Sequence, residues 1–398
     1  MEGVSTEGQS MSLLENPAFD GFGECELAPA RPIPTGSFQL ADDDRGCRRL
    51  VRTHCPAAPG VYGMIDAEGQ LIYVGKSKAL SKRLLSYFFG RDAGSKPRRI
   101  IARTRRLVWE IAGHEFSALL RELELIRRWR PRFNVRGQPR RLRRYYLCLG
   151  RGPAAHAYLA AQPNRRSEWL FGPVRSHWRD AVNSLNDCFG LRDCPDRVPM
   201  RFRDQFDLFS REVAPGCLRH ALGTCLGPCA AACTQAQYEE QILAARRFLQ
   251  GTDRTLLDRL EADMRTAAAA RRFEQAAYLR DLWQELSGLA DFLASLREAR
   301  ERFSFVYPLP DGVGWRWYCI HRGHVVAAAE APRNRRTARR CLRLLKETYG
   351  AECNHCPPPR EDHEMLLLVN GWFRQYPGEL GRTIAPDDAM TMCQADSL

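Results

Sequence analysis

The sequence predicts an α+β protein, and three observations carry that expectation. Two β-branched and aromatic runs, Gly60-Val61-Tyr62 and Tyr73-Val74-Gly75, flank the turn cluster Asp66-Ala67-Glu68-Gly69. Apolar residues at helical spacing follow, and residues 236–298 are helical by pattern almost throughout. A strand-like meander then returns near Phe303–Tyr307, Trp315–Ile320 and Val325–Ala329, ahead of a helix from about Arg336 to Tyr349. The expected organisation is a flexible tail (1–45), a small α/β domain (46–140), a cysteine-cluster domain (141–235), a helical hairpin (236–298) and a degenerate α/β region (299–398). The tail is expected to be flexible because it lacks periodicity and holds Pro29, Pro32, Pro34 and Gly36.

Within 46–140, a four-residue loop over Asp66–Gly69 would set Tyr62 directly opposite Tyr73 on one face. The stretch from Lys76 to Phe88 reads as a loop entering an amphipathic helix. Leu80, Leu84 and Phe88 share its apolar face and Arg83 projects beside them. A strand near Leu107-Val108-Trp109 precedes a long helix from about Glu115 to Trp129, stopped by Pro131. Its buried stripe is Phe116, Leu119, Leu120, Leu123 and Ile126. Glu124 has Arg128 four residues on, which explains it as an ion pair. Glu122 borders the stripe with no cation on its own helix, and a half-buried acid of that kind suits a divalent metal.

At this point the chain resembles the GIY-YIG nucleases. Gly60-Val61-Tyr62, Tyr73-Val74-Gly75-Lys76, the helical Arg83, the helical Glu122 and Arg130-Pro131-Arg132-Phe133-Asn134 look like the five consecutive motifs of that domain. They are most similar to those of the amino-terminal domain of UvrC, the nuclease subunit of nucleotide excision repair. The resemblance implies that Glu122 holds one Mg²⁺ or Mn²⁺ against the scissile phosphate. Tyr73, with its pKa lowered near metal and cations, would take a proton from the attacking water, and Tyr62 would support it. Lys76 and Arg83 would neutralise phosphate charge, and Asn134 would orient the site. Which tyrosine is the base stays open, and Lys76 is another candidate proton handler.

The formal net charge of +13 suits a nucleic-acid partner. The excess is concentrated: Arg98, Arg99 and Arg103 stand in one cluster, and residues 127–144 hold nine arginines, among them Arg128, Arg132 and Arg136. These bracket the site elements, and phosphate-backbone contact is expected of them; the resemblance implies damaged double-stranded DNA as the partner. There is no secretory signal and no run of eighteen apolar residues, so no membrane segment is expected and a reducing bacterial cytoplasm is the default compartment.

Among fifteen cysteines, Cys194, Cys217, Cys225 and Cys229 read C-x₂₂-C-x₇-C-x₃-C, which suits Zn²⁺ or an iron–sulfur cluster equally. Cys233 could substitute for one of them. The segment is again similar to UvrC, whose cysteines imply a [4Fe–4S] cluster, with Zn²⁺ as the alternative. Cys353-Asn354-His355-Cys356 has no evident second pair of ligands.

Residues Arg272–Asp281 resemble the UVR motif, which implies docking on a UvrB-like helicase subunit through Phe273, Ala277, Leu279 and Arg280. No clustered inward-facing carboxylates suggest a second catalytic centre in 299–398. The chain ends before an RNase-H-like nuclease or helix-hairpin-helix units could fit. The resemblance therefore implies a short, Cho-like homologue cutting on the 3′ side of damage. Two rival readings are a non-cutting UvrB and DNA adapter and a GIY-YIG nuclease of mobile-element or restriction type. The intact site residues argue against the first, and the cysteine segment with the UVR-like string against the second.

Overall fold

The computed structural model describes residues 18–27, 35–89, 95–134, 145–150, 152–162, 167–195, 197–205, 217–312, 314–350 and 362–395. In chain order, β1 (Thr35–Gln39), α1 (Asp44–His54), β2 (Gly60–Ile65), β3 (Leu71–Ser77), α2 (Leu80–Ser86), α3 (Lys96–Ile101), β4 (Arg106–Ile111) and α4 (Glu115–Trp129) form the first unit. Its sheet is antiparallel with strand order β1-β4-β2-β3. The central strand β2 is buried along its whole length, which suits its run of Val, Tyr, Met and Ile. Gly60 is required there, since a Cβ would lie 2.3 Å from the Glu110 carbonyl oxygen of β4.

The hairpin register differs from the sequence expectation. Tyr62 pairs with Gly75, and Tyr73 with Met64. A bulge between Met64 and Ile65 and a longer loop shift the pairing by two positions. Asp66 builds that loop, its Oδ1 accepting from the Gln70 N–H at 2.8 Å. A two-residue shift preserves the face on which every side chain lies, so Tyr62 and Tyr73 still converge, now diagonally, with ring centroids 6.1 Å apart.

Helix α4 begins and ends where its signals place it. The His114 ring nitrogen caps the Phe116 N–H at 3.2 Å, and Arg130 adopts a left-handed conformation (φ 47°) just before Pro131. Its apolar side packs on β2 and β3 through Ala118, Leu125 and Ile126 against Val61, Ile65 and Val74.

The described part of the expected flexible tail is docked instead. Phe19 and Phe22 are buried in the same cluster. The Gly23 carbonyl accepts from Arg121 at 2.6 Å, the Phe22 carbonyl from Arg128 at 2.7 Å, and β1 pairs along β4. Two aromatic anchors and three carbonyls facing arginines order a segment whose own pattern is featureless.

The second unit comprises β5 (Tyr145–Gly150), β6 (Ala157–Ala160), β7 (Ser167–Val174), α5 (Arg179–Cys188), α6 (Leu218–Ala221), α7 (Gln235–Gln250), α8 (Thr255–Ala269) and α9 (Phe273–Arg302). One core joins Leu147 and Leu149 of β5, Leu185 of α5, Ile242 and Phe248 of α7, Leu257 of α8 and Leu286 of α9. The expected boundary near 235 therefore falls inside a shared core. Helix α9 runs well past Leu289, because Leu293, Leu296 and Ala299 continue its buried side into the next unit.

That unit holds β8 (Phe305–Asp311), β9 (Gly314–His321), β10 (His324–Glu330), α10 (Arg335–Tyr349), α11 (His363–Gln375) and α12 (Pro386–Ala395). The motif Cys353–Cys356 lies outside the described residues. One face of the antiparallel meander packs with α11, and the other with α10 and α12. Phe116 of α4 inserts into the first face, fully buried, with ring centroids 5.3 Å from Tyr307, 5.5 Å from Trp372 and 5.8 Å from Tyr318. Arg127 of α4 grips Asp362 bidentately at 2.7 and 2.6 Å. The carboxy-terminal unit is thus built onto the helix that carries Glu122. Phe116→Ala is expected to destabilise the chain by about 3–5 kcal/mol. Chemical denaturation should show it, and a loss below about 1 kcal/mol would remove this ring from the interface.

Candidate active site

Three phenols and a guanidinium form the centre. Strand β2 presents Tyr62, β3 presents Tyr73, and α2 presents Arg83 with Tyr87 just past its last turn. The Tyr62 and Tyr87 hydroxyls lie 2.8 Å apart, and Arg83 Nε donates to the Tyr62 hydroxyl at 3.2 Å. The Arg83 guanidinium also lies 5.2 Å from the Tyr87 ring centroid. Gly75 makes the cluster possible, because a Cβ there would lie 2.5 Å from the Tyr62 hydroxyl. Tyr87 is absent from the sequence reading. Its signal was position, four residues after Arg83 and seven after Leu80, so that it shares their side of the helix.

Burial raises the Tyr62 phenol well above its ordinary pKa, with Tyr87 and Tyr73 adding to the effect. Tyr73 is likewise raised, by burial first, then by Tyr87 and by the Glu122 carboxylate, with Arg83 opposing. The expected lowering of Tyr73 belongs to the metal-bound site; the protein groups by themselves act the other way. In a buried cluster one guanidinium does not offset desolvation and a nearby negative charge. The same interaction places Glu122, half-buried on α4, within electrostatic reach of Tyr73.

The residue before Glu122 sets the angle of its helix. Arg121 is 3% exposed and binds Glu110 of β4 through two hydrogen bonds of 2.9 and 3.0 Å. It also reaches Glu124 at 2.7 Å, and Glu124 binds Arg128 at 2.8 Å, as the sequence spacing led one to expect. Arg121 went unnoticed because it sits in a leucine-rich run that reads as a plain amphipathic helix.

Asn134 is buried and holds the edge strand. Its Nδ2 donates to the Val74 carbonyl at 2.7 Å and its Oδ1 accepts from the Val74 N–H at 2.8 Å. Strand alternation turns Lys76 away from Tyr73 and Gly75, to the face of α4. There it meets Glu115 at 2.6 Å, while Lys78 meets the other Glu115 oxygen at 3.0 Å. Tyr376, beyond α11, donates to Glu115 at 3.3 Å and accepts from Lys78. The structure therefore brings Tyr62, Tyr73 and Arg83 together, leaves Glu122 within electrostatic reach of Tyr73, and sets Lys76 against Glu115.

The donors suit Mg²⁺ or Mn²⁺ at Glu122. Among the described residues no group of three or more His, Cys, Asp or Glu side chains is arranged to hold a metal. One carboxylate with water and substrate phosphate completing the shell matches the habit of Mg²⁺.

The basic residues divide. Arg99 and Arg103 are exposed. Arg98 is tied to Asp44 at 2.9 Å, Arg132 to Asp66 at 2.9 Å, and Arg128 is engaged by Glu124 and the amino-terminal carbonyls. Arg136 lies outside the described residues.

The four cysteines of the sequence pattern lie within electrostatic reach of one another. The Cys225 and Cys229 thiols are raised by burial first and then by Cys217 and Cys194, while Cys229 also acts on Cys225 and both act on Cys233. Cys233 is pushed up to about 11, again chiefly by burial. The Gly227 N–H donates to Cys225 Sγ at 3.4 Å, and Arg192 lies 3.7 Å from Cys194 Sγ. Such donors are what clustered thiolates need, although the sulfurs are not closed into ligand geometry.

On the hairpin, Phe273 is 70% exposed and Arg280 is exposed beside Asp281. Ala277 is half-buried and Leu279 packs against the core. Tyr278, 64% exposed, is an apolar surface residue that the sequence reading did not select.

Comparison with known proteins adds three matches in order. Residues 58–135 match the UvrC-like GIY-YIG domain, 145–248 the UvrC/Cho excinuclease middle domain, and 254–288 the UvrB/uvrC motif. The chain is 34% identical over 230 residues to UvrABC system protein C of Alcanivorax borkumensis, and 35% identical over 232 residues to that of Pseudomonas putida. Each alignment covers 57% of this chain and 36% of the relative, so the chain spans about a third of the length of the curated relatives it matches. The magnesium-bound GIY-YIG N-terminal endonuclease domain of UvrC from Thermotoga maritima is 33% identical, covering 24% of this chain and 100% of that one, at a TM-score of 0.21.

The rim ion pairs predict an acid sensitivity. Burial tends to raise the Glu115 carboxyl, but its bonds to Lys76 and Lys78 hold it below the usual range, and Arg127 does the same for Asp362. Both contribute stability above the ordinary values of 4.5 and 3.8, lost as pH falls through their lower folded values. The melting temperature should drop through that window, with a shallower drop in Glu115→Gln. Identical slopes in the two proteins would remove Glu115 from the account.

Proposed function

We propose that this chain, UvrC-like in three successive segments, is a metal-dependent DNA endonuclease of nucleotide excision repair that hydrolyses a phosphodiester on the 3′ side of damage. The observation that carries the reading is the hydrogen-bonded cluster of Tyr62, Tyr87 and Arg83 beside Tyr73 inside the UvrC-like GIY-YIG domain, with the Glu122 carboxylate within electrostatic reach of Tyr73. A bound Mg²⁺ or Mn²⁺ would supply Lewis-acid polarisation of the phosphate and of a water.

The residues do the rest. Glu122 would hold the cation, within electrostatic reach of Tyr73. Tyr73 orients the attacking water by hydrogen bonding and, having released its own proton to solvent, accepts the proton of that water. Tyr87 and Tyr62 continue the hydrogen-bonded line to Arg83, whose fixed charge stabilises the phenol oxygens. Lys76, already paired as a cation with Glu115, exchanges that carboxylate for substrate phosphate. Asn134 keeps β3, and with it Tyr73, in register.

Damaged duplex DNA is the proposed substrate, met by the exposed Arg99 and Arg103. A UvrB-like subunit is the proposed partner, met by Phe273 and Arg280 on the UVR segment. The cysteine cluster, part of the UvrC/Cho middle-domain match, is proposed to hold a structural [4Fe–4S] group, with Zn²⁺ as the alternative, in a reducing bacterial cytoplasm.

Nicking of a lesion-bearing duplex with Mg²⁺, with and without UvrB, tests the central claim. Glu122→Ala should cut at least about 10³-fold more slowly while binding duplex equally in EDTA. Equal cutting rates would remove the metal role of Glu122. Protein purified without oxygen should be brown and contain iron, whereas stoichiometric zinc without iron would overturn the cluster assignment.

A further inference from the structure

Helix α10 is built in a way that the packing of its own unit does not explain. Its inner side is ordinary, with Ala338, Cys341 and Leu345 buried against the meander and α12. Its outer side carries Arg335, Arg336, Arg339, Arg340, Arg343 and Lys346, all exposed, against the single acid Glu347. Fifteen residues thus hold a net +5 of the chain's +13.

Two features make this costly for the helix alone. Arg335 and Arg339, Arg336 and Arg340, and Arg339 and Arg343 are like charges four residues apart, which repel. Its first turn contains no acid and two arginines, at the end where the helix dipole disfavours cations. Stabilisation at that end comes from the Asn334 cap, whose Oδ1 accepts from the Thr337 N–H at 3.0 Å. Elsewhere on the surface arginines are commonly neutralised: Arg333, just before this helix, meets Glu330 at 2.8 Å, and Arg265 of α8 meets Glu261 at 2.5 Å. Among the described residues no carboxylate forms an ion pair with Arg336, Arg339, Arg340 or Arg343.

We propose that the outer face of α10 is a second duplex-binding surface, in which Arg336, Arg339, Arg340 and Arg343 contact the phosphate backbone of DNA held by the nuclease domain. The four guanidiniums lie along about 10 Å of helix. Duplex DNA carries one charge per about 1.7 Å of its axis, so this length meets several phosphates at once. The face has no aromatic or amide side chain between the arginines to read bases, so the contact is independent of sequence. It lies on the side of the meander away from α4, so duplex reaching it extends beyond the segment at Glu122. The inference rests on the reading of the chain as a DNA nuclease.

The test uses the full chain in EDTA, a labelled undamaged duplex and fluorescence anisotropy across a salt series. The variant Arg336→Gln, Arg339→Gln, Arg340→Gln, Arg343→Gln should bind at least tenfold more weakly in 0.1 M salt. Its plot of log affinity against log salt should be shallower by about 3.6, at about 0.9 per lost phosphate contact. Its melting temperature should hold or rise, because like-charge repulsion is removed. Replacement of the same four residues by Lys should restore most of the affinity. If the Gln variant melts early, Arg339→Gln with Arg340→Gln is read instead, with a slope change of about 1.8. A folded variant with unchanged affinity and slope overturns the proposal, as does loss of heparin binding with duplex binding intact. Wild-type chain that binds no duplex at any salt would instead sink the nuclease reading.

Discussion

The pair between Arg121 and Glu110 governs the geometry of everything around it. Both groups are 3% exposed, and all three guanidinium nitrogens are engaged, by two carboxylates and by the carbonyls of Phe22, Gly23 and Glu24. A fork of donors used that fully allows one rotation of α4 over the sheet. Neighbouring side chains on a helix point about 100° apart, so fixing Arg121 inward toward β4 directs Glu122 round toward the edge strand and Tyr73. Neither partner could be buried without the other, since an unpaired charge there costs several kcal/mol.

The same helix is shared between two cores. Ala118, Leu125 and Ile126 pack on the sheet of the first unit, while Phe116 and Leu120 pack with the carboxy-terminal meander and α11. At its first residue, Glu115 links Lys76 and Lys78 of the first unit to Tyr376 of the other. A region that looked like a degenerate appendage is therefore a wall of the site's supporting structure. Its contribution is mechanical and electrostatic at once, because the ring at Phe116 and the carboxylate at Glu115 are consecutive residues.

How much of this was legible depended on whether the cause was local. The end of α4 could be read because Pro131 acts within one turn of it, while the His114 cap at its start shows only in the structure. The faces of Tyr62 and Tyr73 could be read because alternation survives a two-residue slip, although the register itself could not, since it depended on a bulge at Met64. Tyr87 and Arg121 were hidden for opposite reasons. One falls at a helix end and looks like a boundary aromatic. The other sits among leucines and looks like a solvated arginine. The docking of Phe19 and Phe22 and the passage of α9 through two cores are tertiary facts, set by partners far away in sequence.

The clamp at Asn134 has a consequence beyond the site. Strand β3 is the outer member of its sheet, and a bare outer strand invites another chain to zip alongside it. Here the Asn134 amide takes both backbone groups of Val74, and the Phe133 N–H takes the Ile72 carbonyl at 3.0 Å. A stranger's backbone would have to evict an interaction that costs the protein no intermolecular encounter to keep. The residue that steadies the tyrosine strand thus also makes the molecule a poor template for its own self-assembly.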